Sequence, residues 1–263
     1  MAAANRAAWA GGDFVRAYTG RELRPVEVLL LVRLRESLSG SVLELGCGAG
    51  RISGYLVALA HEFHGMDISP RMVAASQRSY PAGDFAQGDV DDVARFADDS
   101  VDAVIAGWNL LDVLDDAERR EALRAIRRAL APGGVLIMSS HNLAYLPRLR
   151  SPAHVRLGGL RQGRPQGVLQ FAADVVRAPR RVRRHRRLRV LERRTADYAL
   201  VSDGSHEFTL VHYYIDPAAQ FRQFREVGLE PESAADLDGR SIDRGDEAPD
   251  CPEIHYVARK PVG

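Results

Sequence analysis

Residues 42–50 read VLELGCGAG, and residues 64–69 read HGMDIS. Val42-Leu43-Glu44-Leu45 is a short apolar run, as a strand buried on both faces requires. Gly46, Gly48 and Gly50 follow at once, and a turn without side chains lets a ligand approach the backbone closely. A second strand, about Glu62–Met66, carries Asp67 to its carboxyl end. An acid there can accept hydrogen bonds from both hydroxyls of a ribose.

A dinucleotide site is the obvious rival, and two residues speak against it. The dinucleotide fingerprint wants a small residue three past its second glycine, where helix and strand pack closely; this chain has Arg51. Glu44, two residues before the first glycine, is a poor neighbour for a pyrophosphate and a good one for a cation. A ligand with adenosine, sulfonium and ammonium groups suits the pair better.

Further strands and helices alternate outward from this turn. Residues 5–39 read as helical, with Val26, Leu29, Leu30, the stem of Arg33 and Leu34 on one face. A helix spans about Arg51–Ala60 after the glycine turn. Ser69-Pro70 then opens another helix with a capping residue and a first-turn proline. Ala86–Val90 is a short third strand ending near Asp89, and VDAVIA within Asp98–Asn109 is a buried fourth, with Asp102 at its foot read as structural. The helix over Asp115–Leu130 stops at Ala131-Pro132-Gly133-Gly134, and Val135–Ser139 is a fifth strand. After Asn142 the regularity breaks until Phe208–Ile215, a strand, and Pro217–Val227, a helix. Leu229–Ala234 and Ile254–Ala258 can close one edge as an antiparallel pair. This alternation predicts a parallel doubly wound sheet with its ligand beyond the carboxyl ends of the strands.

Composition narrows the class. The 263 residues suit one large α/β domain or a domain with an insertion. No run of about 18 apolar residues exists, so no transmembrane helix is expected. MAAANRAAWA lacks the apolar stretch of a secretory signal. Cys47 and Cys251 make neither a disulfide framework nor a zinc site, which points to a reducing cytoplasm. The net charge of +1 conceals segregation: residues 142–214 hold fifteen Arg against five acids. Lys260 is the only lysine beside thirty-five arginines, a skew that warns against over-reading arginine alone.

With these residues on the page, the chain resembles class I S-adenosylmethionine-dependent methyltransferases, over about residues 35–142 and 208–260. Three stretches carry the resemblance: VLELGCGAG with GMDIS; GDV at 88–90 before FADDSVDAVIAGWNLLDVL; and LAPGGVLIMSS at 130–140. It implies an α/β, Rossmann-like, doubly wound, seven-stranded, mostly parallel sheet with a basic insertion after strand five. It also implies S-adenosylmethionine as cofactor and S-adenosylhomocysteine as product. By the same resemblance Glu44 and the backbone of Gly46, Cys47, Gly48 and Gly50 lie beside the methionine part, and Asp67 binds the ribose. Ile68 and Met72 pack near the adenine, Asp89 meets its exocyclic amine and Val90 its ring. Gly107 and Trp108 border the sulfonium, and Arg16 and Tyr18 fold over the methionine end.

Methyl transfer requires alignment, and a base when the acceptor is a hydroxyl. His141, just past strand five at the ligand rim, is the first candidate base; its bland reading is a histidine bonded to the insertion. His212 is the second. On a strand, His212 and Tyr214 share one face while Tyr213 takes the other. Asn109, Asn142, Tyr213 and Tyr214 are candidate substrate contacts. Cys47 reads as the small residue of the turn, since nothing nearby lowers its pKa, and no metal is expected.

The expected organisation is an N-terminal helical cap (1–40), a cofactor-binding core (41–142 and 215–263) and an inserted substrate lid (143–214). The expected function is methyl transfer to oxygen or nitrogen of a small molecule, a specialised metabolite or a sugar. The arginine run at 180–194 opens an alternative, RNA methylation, although that run lacks aromatics for base stacking. A non-catalytic protein that only binds the cofactor is a further alternative. The expected partner is a small-molecule substrate, with an acidic one left open, nucleic acid disfavoured, no membrane, and a homodimer left open.

Overall fold

A strand buried on both faces needs apolar residues at consecutive positions, and the central strands have them. The computed structural model describes residues 1–11, 22–149, 151–154, 165–243 and 245–263. Strands β1 (Ser41–Leu45), β2 (Glu62–Asp67), β3 (Asp84–Gln87), β4 (Val101–Ala106) and β5 (Leu130–Asn142) run parallel in the order β3-β2-β1-β4-β5. Helices α3 (Ser53–Leu59), α4 (Pro70–Ser79) and α5 (Asp116–Ala129) form the crossovers.

Successive side chains point to opposite faces. Leu43, Val104 and Leu136 therefore enter one core with Leu123 and Ile126 of α5, and with Phe221 and Phe224 of α7 (Pro217–Glu226). Val42, Ile105 and Ile137 enter the other, against Leu56 of α3 and against Val26, Leu30 and Leu34. Val26 and Leu30 lie on α2 (Pro25–Arg33), and Leu34 caps it. Leu29, expected on the same face, is half exposed instead; spacing of four residues, not three, carries the buried stripe. Asp102 accepts the Ser41 N–H (2.8 Å), the structural role its position suggests.

β10 (Glu253–Arg259) runs antiparallel between β5 and β9 (Glu230–Ala235), as the expected edge pair does. That completes a seven-stranded sheet, but the described residues form ten strands. β5 is thirteen residues long and outruns β4. Its last residues, His141 and Asn142, pair with Tyr214 and Ile215 of β8 (His212–Ile215). β8 pairs with β7 (Tyr198–Val201), and β7 with β6 (Arg193–Arg194). The expected limit of the insertion at residue 214 thus falls inside a strand of the sheet. The expected strand over Phe208–Ile215 shortens to its last four residues, because His206, Glu207 and Phe208 have left-handed φ. Between β5 and β6 lies α6 (Pro165–Leu188), a 24-residue helix carrying most of the arginine run. α1 (Ala2–Gly11) begins the chain.

Phe224 is fully buried against the edge of the Tyr256 ring. Phe224→Ala should cost about 3–5 kcal/mol, read as a fall in the midpoint of urea unfolding at an unchanged slope.

Candidate active site

The parallel strands end at one rim, where β1 turns into α3. Gly46 and Gly48 have φ of +64° and +57°, conformations that side chains rarely adopt. A Cβ on Gly46 would lie 2.6 Å from Cδ1 of Leu110, while one on Gly48 would meet nothing within 4 Å. Gly48 faces a cavity of about 270 Å³. Asp67, at the end of β2, accepts the N–H of Gly48 through Oδ2 (2.9 Å) and of Ser69 through Oδ1 (2.8 Å). Burial pushes the Asp67 carboxyl up, against the pull of those two donors. Each oxygen keeps a lone pair, and the carboxylate lines the cavity.

Glu44 lines the same end and is buried. Its Oε2 accepts from Ser53 Oγ (2.5 Å), and burial pushes its carboxyl up to about 8, more than Ser53 and the charge of Arg51 offset. A buried carboxyl in this condition is ready to pair with a ligand's cation. Burial also pushes the Cys47 thiol well up, with Glu44 and Asp67 adding to it, which disfavours the thiolate a nucleophile requires.

Ile68, Met72, Val90 and Leu110 supply apolar walls beside Asp67. Asp89 caps the short 3-10 turn Val90–Arg95, accepting the Val90 N–H (2.7 Å), and is ion-paired with Arg6 of α1. α1 is fixed over the rim by Asn5. Its side chain donates to the carbonyls of Val113 and Val211 (both 2.8 Å) and accepts the Val211 N–H (3.1 Å). Arg6 and Trp9 thereby join the lining.

Trp108 and Asn109 follow β4 with φ of +51° and +56°. Such backbone costs of order 1–3 kcal/mol for each residue and persists where surroundings enforce it. Here Arg24 and Arg51 lie over the Trp108 ring, at 5.1 and 4.5 Å from its centroid. Arg51 is itself held by Glu27 through two hydrogen bonds (2.5 and 2.6 Å). The Asn109 N–H donates to Ser139 Oγ (2.8 Å), and its side-chain amide reaches Glu253 Oε2 and His141 Nε2 (both 3.2 Å). Asn109 Oδ1 is a buried acceptor without a hydrogen bond among the described residues.

Beyond Asn109 stand two histidine–aspartate pairs. Asp112 is fully buried in the 3-10 turn Leu110–Val113. Its Oδ2 accepts from the backbone N–H and from Nδ1 of His141 (both 2.7 Å). Its Oδ1 accepts from Arg119 (2.6 Å) and Ser140 (2.7 Å). Nδ1 of His141 is thus committed to Asp112, and Nε2 is the nitrogen left for chemistry. Burial works against a charged His141, yet Asp112 outweighs it, with smaller help from Asp203 and Glu253, and raises its pKa. In the second pair Asp203 Oδ2 accepts from His212 Nδ1 (2.9 Å) and from the Tyr214 hydroxyl (2.5 Å). The His141 and His212 rings are 5.1 Å apart, and both line the cavity with Ser205 and His206.

The structure therefore gathers Glu44, Gly46, Cys47, Gly48, Asp67, Ile68, Met72, Asp89, Val90, Gly107, Trp108, Asn109, His141 and His212 around one cavity. Gly50 is not part of the lining; a Cβ there would meet Tyr80. Three expected substrate contacts need correction. Asn142 is buried with its amide on the carbonyls of Glu247, Ala248 and Cys251. Tyr213 points to the opposite face, stacks on Tyr198 and donates to Asp116 (2.6 Å). Tyr214 lies behind His141, its hydroxyl given to Asp203. Arg16 and Tyr18 lie outside the described residues. Among the described residues none of α6 lines the cavity, and of the inserted stretch only Ser205, His206 and His212 do. Sequence reasoning missed Asp112, Arg119, Asp203 and Glu253, although an acid between Leu111 and Val113 is a cue for a buried charge. Among the described residues no group of three or more His, Cys, Asp or Glu could hold a metal ion, and no helix is long and apolar enough to cross a membrane.

Sheet order and rim define a class I methyltransferase fold. Residues 42–134 match a family model described as a methyltransferase domain. A malonyl-[acyl-carrier protein] O-methyltransferase of Enterobacter lignolyticus is 32% identical over 121 residues, 46% of this chain and 47% of that protein. An N-demethylindolmycin N-methyltransferase of Streptomyces griseus is 26% identical over 183 residues, 67% of this chain and 74% of that one. The chain spans about half the length of most curated relatives it matches. A 1,6-didemethyltoxoflavin-N1-methyltransferase of Burkholderia thailandensis, solved with S-adenosylhomocysteine, superposes with a TM-score of 0.58 at 14% identity, covering 99% of this chain and 88% of that one.

The residues present fit that cofactor. Gly48 leaves room for a ligand, Asp67 offers acceptors for a diol, and Glu44 is a buried carboxyl suited to an ammonium group.

Because the folded pKa of His141 is raised, its charged form stabilises the fold, fully so below its unfolded value of about 6.5. That contribution fades as pH rises through the raised value. The stability gap between the wild type and His141→Asn should be widest below about pH 6.5 and narrow above it, read by urea unfolding across pH.

Proposed function

We propose that the protein transfers a methyl group from S-adenosylmethionine to a hydroxyl oxygen of a small molecule, with His141 as general base. The pairing of His141 with buried Asp112 on the wall of the glycine-turn cavity carries this reading. When bound, the cofactor supplies a methyl group on a sulfonium, an electrophile with a good leaving group already in place.

The chain then has three tasks. Asp67 takes the ribose hydroxyls, Glu44 the ammonium, and Ile68, Met72 and Val90 the faces of the adenine. Arg6, Trp9 and Trp108 help exclude water from the rim. His141 takes the acceptor proton at Nε2, where Asn109 Nδ2 now lies 3.2 Å away and an acceptor hydroxyl would replace it. The imidazolium so formed is stabilised by Asp112, which Arg119 and Ser140 hold in place. His212, oriented by Asp203, is the neighbouring wall for the acceptor.

The relatives' names include both oxygen and nitrogen acceptors. A hydroxyl is favoured here because a carboxylate or an unprotonated amine attacks without a base, and the His141–Asp112 pair supplies one. An RNA acceptor is disfavoured because no described residue of the arginine helix α6 lines the cavity.

Asp67→Asn should weaken S-adenosylhomocysteine binding at least about tenfold, on the order of 1.4 kcal/mol; unchanged affinity by calorimetry removes the ribose assignment. His141→Gln should lower kcat about 10²–10⁴-fold while that affinity stays the same. The assay follows labelled methyl transfer to hydroxyl acceptors found by screening phenolic and sugar-like compounds, and full turnover in the variant contradicts the hydroxyl reading. Since the base must be neutral, activity should rise with pH through the raised pKa of His141. Asp112→Asn should move that acid limb to lower pH and reduce the maximum.

A further inference from the structure

The arginine run remains unused by the site above, and α6 shows how it is displayed. Arg181 and Arg184 turn inward, and Arg177 lies on the same side of the helix, half exposed. Arg181 pairs with buried Asp174 (3.5 Å) and donates to the His154 carbonyl (2.7 Å), while Arg177 and Arg184 approach Glu207 (3.8 and 3.9 Å). The outward side differs. At 100° per residue, Val168, Leu169, Ala172, Val175, Val176 and Pro179 fall on one exposed face, and Arg180, Arg183, Arg186 and Arg187 continue the same face. Leu169 is 71% and Val176 78% exposed. None of those four arginines has an ion pair among the described residues. Pro179, which cannot donate to the helical ladder, stands where the face changes from apolar to basic.

The geometry points to a docking surface for an anionic lipid bilayer along this face of α6. Both halves are then satisfied by one occupant: the aliphatic side chains enter the acyl boundary, and the guanidinium groups reach the phosphates. A polyanion such as RNA would answer the arginines and leave Leu169 and Val176 in water. A protein hot spot is usually built on aromatic anchors in pockets, and this face has neither. It is instead one stripe of side chains from Val168 to Arg187, about 29 Å long, the shape of a helix lying in an interface. The sequence reading expected no membrane partner because it sought only a spanning segment. The opposite, inward side of α6 lies close to the active-site cavity. Arg184 Nη1 donates to the Glu207 carbonyl (3.4 Å), and the adjacent His206 lines that cavity.

The test is flotation of the full chain with vesicles of mixed phosphatidylglycerol and phosphatidylcholine, with pure phosphatidylcholine vesicles and single-stranded RNA as comparisons. Two double variants, Leu169→Ser with Val176→Ser and Arg183→Glu with Arg186→Glu, alter exposed residues only, and unchanged thermal unfolding confirms their folds. The expected result is binding to the anionic vesicles alone, lowered at least about tenfold by each double variant, consistent with loss of apolar contact or surface charge. No binding to anionic vesicles, or binding that either variant leaves intact, overturns the proposal. Equal retention on RNA that only the arginine variant abolishes also overturns it, in favour of a nucleic-acid face.

Discussion

Two backbone N–H groups, of Gly48 and Ser69, converge on the carboxylate of Asp67 and tie the first crossover turn to the second. Much of the rim follows from this contact. The chain must leave β1 in a left-handed turn to bring the Gly48 N–H within reach, so Gly46 and Gly48 have no side chains to offer. The Ser76 hydroxyl secures the same turn through the Gly48 carbonyl (2.8 Å). With both turns locked, Ile68, Met72 and Val90 form one wall and Glu44 the opposite end. A binding site preorganised in this way loses little entropy when its ligand arrives.

Asp112 plays the corresponding part for the catalytic side. It accepts four hydrogen bonds in a fully buried position, from Arg119, Ser140 and both the backbone and ring of His141. Arg119 in turn reaches Gln220 and Gln223 of α7 (2.7 and 3.1 Å), so α5, β5 and α7 are joined through one carboxylate. A buried charge is tolerated only when satisfied in this manner. The outcome is a histidine of defined tautomer at the end of β5, with its raised pKa set by the same group that orients it.

Strands β1, β4 and β5 were legible because burial on both faces writes itself as an unbroken apolar run. Asp67 was legible because strand β2 dictates where its last residue lies. The partners of His141 were not: Asp112 is 29 residues away and Glu253, linked through Asn109, more than a hundred, and no local spacing records such contacts. Tyr213 and Tyr214 were read as pocket residues from proximity, whereas strand alternation and the pull of Asp116 and Asp203 turn their hydroxyls aside. The helix α6 escaped notice because its outward face carries both the aliphatic and the arginine side chains. No inward apolar stripe announces it. The pairing of β8 with β5, and with it the unforeseen strands β6 and β7, depends on β5 outrunning β4, a length that the Ala131–Gly134 stop signal hid.

The account turns on the glycine-turn cavity being a methyl-donor site that aims its ligand at His141. A crystal structure of the wild-type protein with S-adenosylhomocysteine tests this most directly. The ribose hydroxyls should lie on Asp67 and the amino group at Glu44, with the sulfur facing the open space beside His141. A ligand whose ribose sits elsewhere, or whose sulfur is walled off from His141, would contradict the account.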